Sequence, residues 1–201
     1  MAAPRPTPTA KSERTRNAVV RALEALIEEG DLTPSAGDIA ARAGISLRSV
    51  YVHFASVDDL HLAVAERATG RVLTMLWPID PEAPLTVRID DLVRQRARIN
   101  EEIGPLRRSV AIHAERSPAL AEARAAARRA SADQIRRVFA TELAGIGRAE
   151  RARRAAVVDL VVSGEAWDVL RGAGGLDPSE AAKAVREAVA TLLTAGPTAD
   201  G

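Results

Sequence analysis

The nine residues Ser46 to Phe54, SLRSVYVHF, carry side chains that could read a nucleic acid. Arg48 offers a planar fork of donors able to take the O6 and N7 of a guanine together, a contact that discriminates by about 1–3 kcal/mol. Ser49 can meet a base edge or a phosphate, and Leu47 and Val52 can pack on a thymine methyl. Tyr51 and His53 put polar tips on rings, which suits gripping phosphates to fix register. Ser46, Ser35 upstream and Ser56 downstream stand at candidate helix starts, where a hydroxyl and free backbone N–H groups can hold an anion. A plainer reading stands beside each of these: Arg48 as solvated surface, Tyr51 as packing, His53 as a cap on a carbonyl.

Such contacts require a helix, and the local sequence argues both ways. Val50-Tyr51-Val52-His53-Phe54 is β-branched and aromatic, and it alternates with the strand period of two. Yet Ser46 is a good N-cap after Gly44, and Leu47, Val50, Tyr51 and Phe54 recur at i, i+3, i+4 and i+7. Upstream, Ser35-Ala-Gly-Asp38 has the form of a capping box, followed by Ile39, Ala40 and Ala43 and closed by Gly44. Two short helices joined by a tight turn are predicted, a helix-turn-helix with Val50 and Phe54 inward. Arg48, Ser49 and Val52 then face outward, while Leu47 sits between core edge and groove.

The elements that must hold this unit follow from the punctuation. Residues 1–10 are rich in Pro and Thr without an apolar period and predict a mobile arm, whose Arg5 could enter a minor groove. A helix from about Ser12 to Glu29 presents Val20, Leu23 and Ile27, widened by Val19 and Leu26, and ends at Gly30. Ser56-Val-Asp-Asp59 opens another, through Leu60, Val64, Ala68 and Leu73, which stops near Trp77-Pro78. Later helices are predicted from Leu85 to about Glu102, Pro105 to Arg116, Pro118 to about Leu143, Arg148 to Arg171, and Pro178 to Leu193. The last start, Asp177-Pro178-Ser179-Glu180, pairs a capping side chain with Pro at N1 and Glu at N3. The domain reading is an arm over 1–11, a DNA-binding helix-turn-helix domain over 12–55, a second domain over 56–196, and a frayed tail over 197–201.

Composition agrees with an all-α chain. Ala and Arg are abundant, and with Leu and Glu they enter a helix at least cost; aromatics are 2%, and 201 residues at 47% apolar suffice for one or two small cores. With no Cys, disulfides are excluded. No apolar run approaches a membrane span and no signal-peptide core opens the chain, so a cytoplasmic protein with no membrane partner is expected. Net charge is +1, and the first sixty residues hold seven bases against eight acids, so any DNA footprint must be local. The three histidines, His53, His61 and His113, fit no metal-ligand spacing, and neither a metal nor a cofactor is expected. Gly172-Ala-Gly174-Gly175 lacks a preceding strand and the third glycine of a phosphate loop, and Ser163-Gly164 lacks the nucleophile-elbow pattern. Enzymatic chemistry is therefore disfavoured.

From Ser35 to Leu60, SAGDIAARAGISLRSVYVHFASVDDL resembles the TetR family of bacterial transcription regulators. The shared pattern is Ile-Ala, Ala-Gly, aliphatic-Ser, then Tyr, one residue, His-Phe and a downstream Leu; Arg14 to Gly30 fits the family's first helix. The last 120 or so residues agree only in helix count and size. The resemblance implies an all-α fold, an N-terminal three-helix helix-turn-helix domain followed by a helical ligand-binding and dimerisation domain. It implies a homodimer on a double-stranded DNA operator, most often a repressor released by a small-molecule effector of unknown identity. Tyr51 and His53 match the positions that commonly hold phosphates. One departure is Val57, where the family often carries a phosphate-binding Lys just after Ser56.

For an effector pocket the resemblance and the apolar pattern nominate Leu73, Leu76, Trp77, Leu92, Val93, Arg96, Ile112, His113 and Phe139, although the same residues could simply fill a core. For the dimer they nominate Val157, Leu160, Val161, Gly164, Trp167 and Leu170, with Val185, Val189 and Leu192 of the last helix. Closing each monomer's own core is the alternative. A rival to the helix-turn-helix is the arginine-rich stretch 124–154, nine bases against Asp133, Glu142 and Glu150 within it and Glu122 just before it, as a nucleic-acid or protein interaction face. Its bases are spread around several turns without interleaved aromatics, which favours a solvated or ion-paired surface.

Overall fold

The strand-like pentapeptide is helical. In the computed structural model, which describes residues 10–195, α3 spans Leu47–His53, capped by Ser46 and ended by Phe54 in extended conformation. Helices α1 (Ala10–Glu28) and α2 (Ala36–Ala43) precede it. α2 carries the reciprocal capping box: Ser35 Oγ accepts from the Asp38 N–H, and the Ser35 N–H donates to the Asp38 carboxylate at 3.1 Å. These donors hold the Asp38 carboxyl below its usual range, the Ser35 side chain contributing most. Gly44 closes α2 at φ +67°, a left-handed conformation that residues with a Cβ rarely adopt, and its N–H returns to Ala40 and Ala41. The expected mobile arm, except for its last residues, and the frayed tail lie outside the described residues, and α1 begins at Ala10 rather than Ser12.

The chain forms two compact units, Met1–Gly70 with Pro105–Arg124, and Arg71–Gly104 with Ala125–Gly201. In the first, Val19, Val20, Leu23 and Ile27 of α1 are fully buried, joined by Ile39 of α2, Val50 and Phe54, and Leu60 and Val64 of α4 (Val57–Met75). The Arg16 guanidinium lies 4.9 Å over the Phe54 ring, tying α1 to the end of α3. Ser109 donates to the Leu32 carbonyl at 2.7 Å, which satisfies a loop acceptor between α1 and α2.

In the second unit the core is built from Ile89, Leu92 and Val93, then Ile135, Val138, Phe139 and Leu143, then Val158, Val162, Trp167, Val185 and Val189. The helices here depart from their expected bounds in three places. α5 runs unbroken from Leu85 to Ala114 with Pro105 inside it, instead of two helices divided there. The residue before the proline is Gly104, which has no Cβ to meet the ring, so the steric part of the usual helix stop is relieved. The predicted 118–143 helix divides at Phe139 into α6 (Pro118–Val138) and α7 (Ala140–Ala144), and the Val138 carbonyl freed there accepts from Arg88 at 2.7 Å.

The third departure divides 148–171 into α8 (Arg148–Val161) and α9 (Gly164–Arg171), because Ser163 adopts an extended conformation and N-caps α9 through the Ala166 N–H. The apolar stripe drawn from Val157 through Gly164 to Leu170 is therefore divided between two helices and is not one unbroken helical face. α10 (Pro178–Thr194) has the expected Asp177/Glu180 capping box. Among the described residues there is no strand, and no helix is long and apolar enough to cross a membrane.

Candidate nucleic-acid interface

α3 has two faces with opposite chemistry. Val50 and Phe54 are buried at 2% and 4% exposure, which anchors the helix, while Leu47, Arg48, Tyr51 and Val52 are exposed and Ser49 and His53 half-buried. Tyr51 is half exposed and Val52 is the most exposed large hydrophobic residue described, at 72%, so packing accounts for neither. Among the described residues the side chains of Arg48, Tyr51 and His53 make no hydrogen bond or ion pair, leaving guanidinium, phenol and imidazole donors unused on one short helix.

The serines are already engaged. Ser46 Oγ accepts the Ser49 N–H at 3.2 Å and lies 2.9 Å from Ser49 Oγ; Ser35 Oγ donates to the Asp38 carboxylate; Ser56 Oγ accepts from the Asp59 N–H at 3.1 Å. Their first task is capping. A hydroxyl so used keeps a lone pair but has less freedom to serve a phosphate. Arg42 of α2 is bonded to Glu29 through both terminal nitrogens.

The arginine-rich stretch is different in character. Arg128 pairs with Glu165 at 2.7 Å, Arg136 with Asp133 at 2.7 Å and Arg153 with Glu150 at 2.8 Å. Arg154 is buried between Glu150 and the Ala195 carbonyl, and Arg151 caps the carbonyls of Ala144 and Ile146. Arg124 and Arg129 are engaged as well. This is an ion-paired surface, with few cations left over for a polyanion.

The residues nominated for an effector fall in both units. Ile112, exposed, and His113, buried, belong to the first; Leu73 and Leu76 are exposed and Leu92, Val93 and Phe139 buried in the second. There, Gln95 and Gln134, which sequence reasoning missed, connect two nominated residues. Gln95 Nε2 donates to the Trp77 carbonyl at 3.0 Å, Gln134 Nε2 donates to Gln95 Oε1 at 2.7 Å, and Arg96 donates to Gln134 Oε1 at 2.7 Å. The available signal was Gln95 standing on the apolar spacing Leu92, Gln95, Ile99 of α5. A groove of about 470 Å³ lies between α6 and α8, walled by Ala132, Ala152, Ala155, Arg136, Arg151 and Asp159 among others, and none of the nominated residues lines it.

Of the dimer set, Val157 and Leu160 of α8 are exposed, at 41% and 62%, while Val161, Gly164, Leu170 and Leu192 are half-buried. Trp167, Val185 and Val189 are 4%, 3% and 0% exposed and pack into the core of their own chain. A second apolar side chain open to solvent, Val169 of α9, was not nominated. No group of three or more metal-capable side chains occurs among the described residues.

No family model and no curated protein matches the chain. Solved structures do. A transcriptional regulator from Rhodococcus superposes with TM-score 0.69 at 22% identity, over 89% of this chain and 95% of that one. A TetR-family member from Streptomyces coelicolor gives 0.64 at 23% identity, over 90% and 99%. The multidrug-binding protein EbrR, in complex with imidazole, gives 0.58 at 24% identity, over 97% and 99%. The chain has the all-α fold of TetR-type regulators along nearly its whole length.

Proposed function

We propose that this chain is a sequence-specific DNA-binding transcription regulator, a homodimer that represses from a two-fold operator and is released by a small-molecule effector. The observation that carries the reading is α3 itself: a helix fixed from below by Val50 and Phe54 that holds Arg48, Tyr51 and His53 outward without partners among the described residues. In this role Arg48 takes a guanine, Leu47 and Val52 meet thymine methyls, and Ser49 meets a base edge or phosphate. Tyr51 and His53 hold phosphates, helped by the helix starts at Ser35, Ser46 and Ser56. The likeness to regulators supports the reading through the fold they share. A dimer places two such helices about one helical turn apart, roughly 34 Å, so a shift of a few ångströms releases both half-sites. The shift would be transmitted by α4, which begins beside the helix-turn-helix and continues past Gly70 into the second unit. Free in the bacterial cytoplasm, the protein would sit on the nucleoid when bound.

The test is titration of the purified full chain with duplex DNA from upstream of its own gene, against scrambled duplex, across a salt series. Binding at two chains per site with a specificity ratio of about a thousand or more is expected. Equal, weak binding to both duplexes that vanishes as salt rises, with no site recovered by genome-wide selection, would overturn the reading.

A further inference from the structure

Arg96 is a cation without an anion. Its side chain is largely buried in the second unit, where burial depresses its basicity, and its only hydrogen bond among the described residues goes to the neutral Oε1 of Gln134. Its Nε is buried and has no partner. The one acid whose charge reaches it, Asp159, forms no ion pair with it and instead accepts the Ser131 hydroxyl at 2.6 Å. The two arginines that are fully buried among the described residues are differently placed: Arg88 has Glu142, and Arg154 has Glu150. Keeping a guanidinium out of water without a carboxylate is costly, and a chain needing only packing at this position would do better with Met or Leu.

The same side chain ends a polar relay. Gln134 accepts from Arg96 and donates to Gln95, and Gln95 donates to the Trp77 carbonyl two residues past the end of α4. We infer that Arg96 anchors an anionic effector, a small molecule bearing a carboxylate or phosphate, which replaces Gln134 on the guanidinium and so frees the relay that holds the end of α4. An ionised acceptor makes a charge-assisted bond about twice as strong as a neutral amide oxygen does, and it can engage Nε together with a terminal nitrogen. This assigns the effector's chemical class and rests on the regulator reading above.

The experiment uses the full chain without DNA, so that its outcome is independent of operator binding. Thermal melts and calorimetric titrations compare benzoate with benzamide, hexanoate with hexanamide, and inorganic phosphate with chloride at matched ionic strength. Wild type should bind at least one carboxylate, or phosphate, at millimolar concentration or better and prefer it more than tenfold over its neutral counterpart; which arm responds separates an organic acid from a phosphate. Arg96→Met should lose that preference while melting at or above the wild-type temperature, because an unpaired buried charge has been removed. Should Arg96→Met fail to fold, Arg96→Gln tests the same loss. Gln134→Leu, which removes only the neutral competitor, should bind the anion as well as wild type or better. Equal binding of acid and amide, undiminished anion binding in the Arg96 variants, or no anion shifting the melt would each overturn the assignment, and none of these outcomes would affect the DNA titration.

Discussion

The imidazole rings of His61 and His113 stack face to face, their centroids 3.6 Å apart and their planes inclined by 26°. His61 Nδ1 lies 2.9 Å from the Val57 carbonyl, so that nitrogen carries the proton, and Nε2 is left as a buried lone pair with no partner. His113 turns its Nδ1 toward the Asp58 carboxylate at 3.3 Å. Burial first, and the neighbouring His113 in smaller measure, push the His61 pKa from 6.5 down to about 4, against the opposing pull of the Val57 carbonyl and Asp58.

This stack makes the stability of the protein pH-dependent in a defined window. The unfolded chain protonates His61 near pH 6.5, whereas the folded chain resists until about pH 4. Stability from this group is therefore complete above pH 6.5, declines between 6.5 and 4, and declines no further below. The full gap corresponds to roughly 3 kcal/mol. Urea midpoints measured from pH 4.5 to 7.5 should fall with acid more steeply in wild type than in His61→Leu. Parallel curves for the two proteins would show that the stack carries no such linkage.

Arg88 and Glu142 form an enclosed ion pair, with side-chain exposures of 6% and 13%. Arg88 also serves the carbonyls of Ala83 and Val138, the latter at the break between α6 and α7. Removing one member strands a buried charge, so Glu142→Leu should cost about 3 kcal/mol in chemical denaturation. Replacing both with Leu should recover part of that loss, the remainder coming from the Ala83 and Val138 carbonyls that lose their donor. A double variant as unstable as the sum of the two singles would mean that the pair acts independently.

How much of this was legible in the sequence depended on the range of the interaction. The Ser35/Asp38 and Asp177/Glu180 boxes, the Gly44 turn and the two faces of α3 depend on neighbours within a few residues, and the pattern of residue types announces them. The same locality misled at Pro105, where the missing Cβ on Gly104 lifts one part of the usual restriction before a proline, and at Ser163, a good cap hidden inside an apolar run. Burial could not be read where two stripes compete for one core. Val185 and Val189 had the spacing of an interface and are inside. The Gln95–Gln134 relay joins residues 39 apart in sequence, and nothing in the local pattern of α6 points to its partner on α5.

At the proposed DNA surface, Arg48→Ala should relax discrimination at one base-pair position by about ten- to a hundredfold, the equivalent of 1–3 kcal/mol. Its folding midpoint should not move, since the side chain is exposed and makes no hydrogen bond or ion pair among the described residues. Tyr51→Phe, by contrast, should weaken all sequences alike, because a phosphate contact carries no sequence information. A binding-site selection run on each purified variant separates the two effects. Arg48→Ala retaining the wild-type preference at every position would remove Arg48 from the base-reading set.

The dimer surface can be tested by using the division that burial makes within the nominated set. Leu160 is 62% exposed and Val157 is 41% exposed on α8, so a charge placed there disturbs no core, whereas Val189 is wholly enclosed. Leu160→Glu should give a chain that melts as a cooperative unit yet sediments as a monomer, with operator affinity reduced by a hundredfold or more because each half-site must then be bound alone. Val189→Glu should instead unfold the second unit outright, since an unpaired carboxylate in that core costs several kcal/mol. Val169→Glu on α9 distinguishes the extent of the contact: dissociation by this variant would carry the interface across the α8–α9 break, and an intact dimer would confine it to α8. If Leu160→Glu and Val157→Glu both remain dimeric in the ultracentrifuge at micromolar concentration, these exposed side chains lie outside the two-fold contact and the dimer is built on another face.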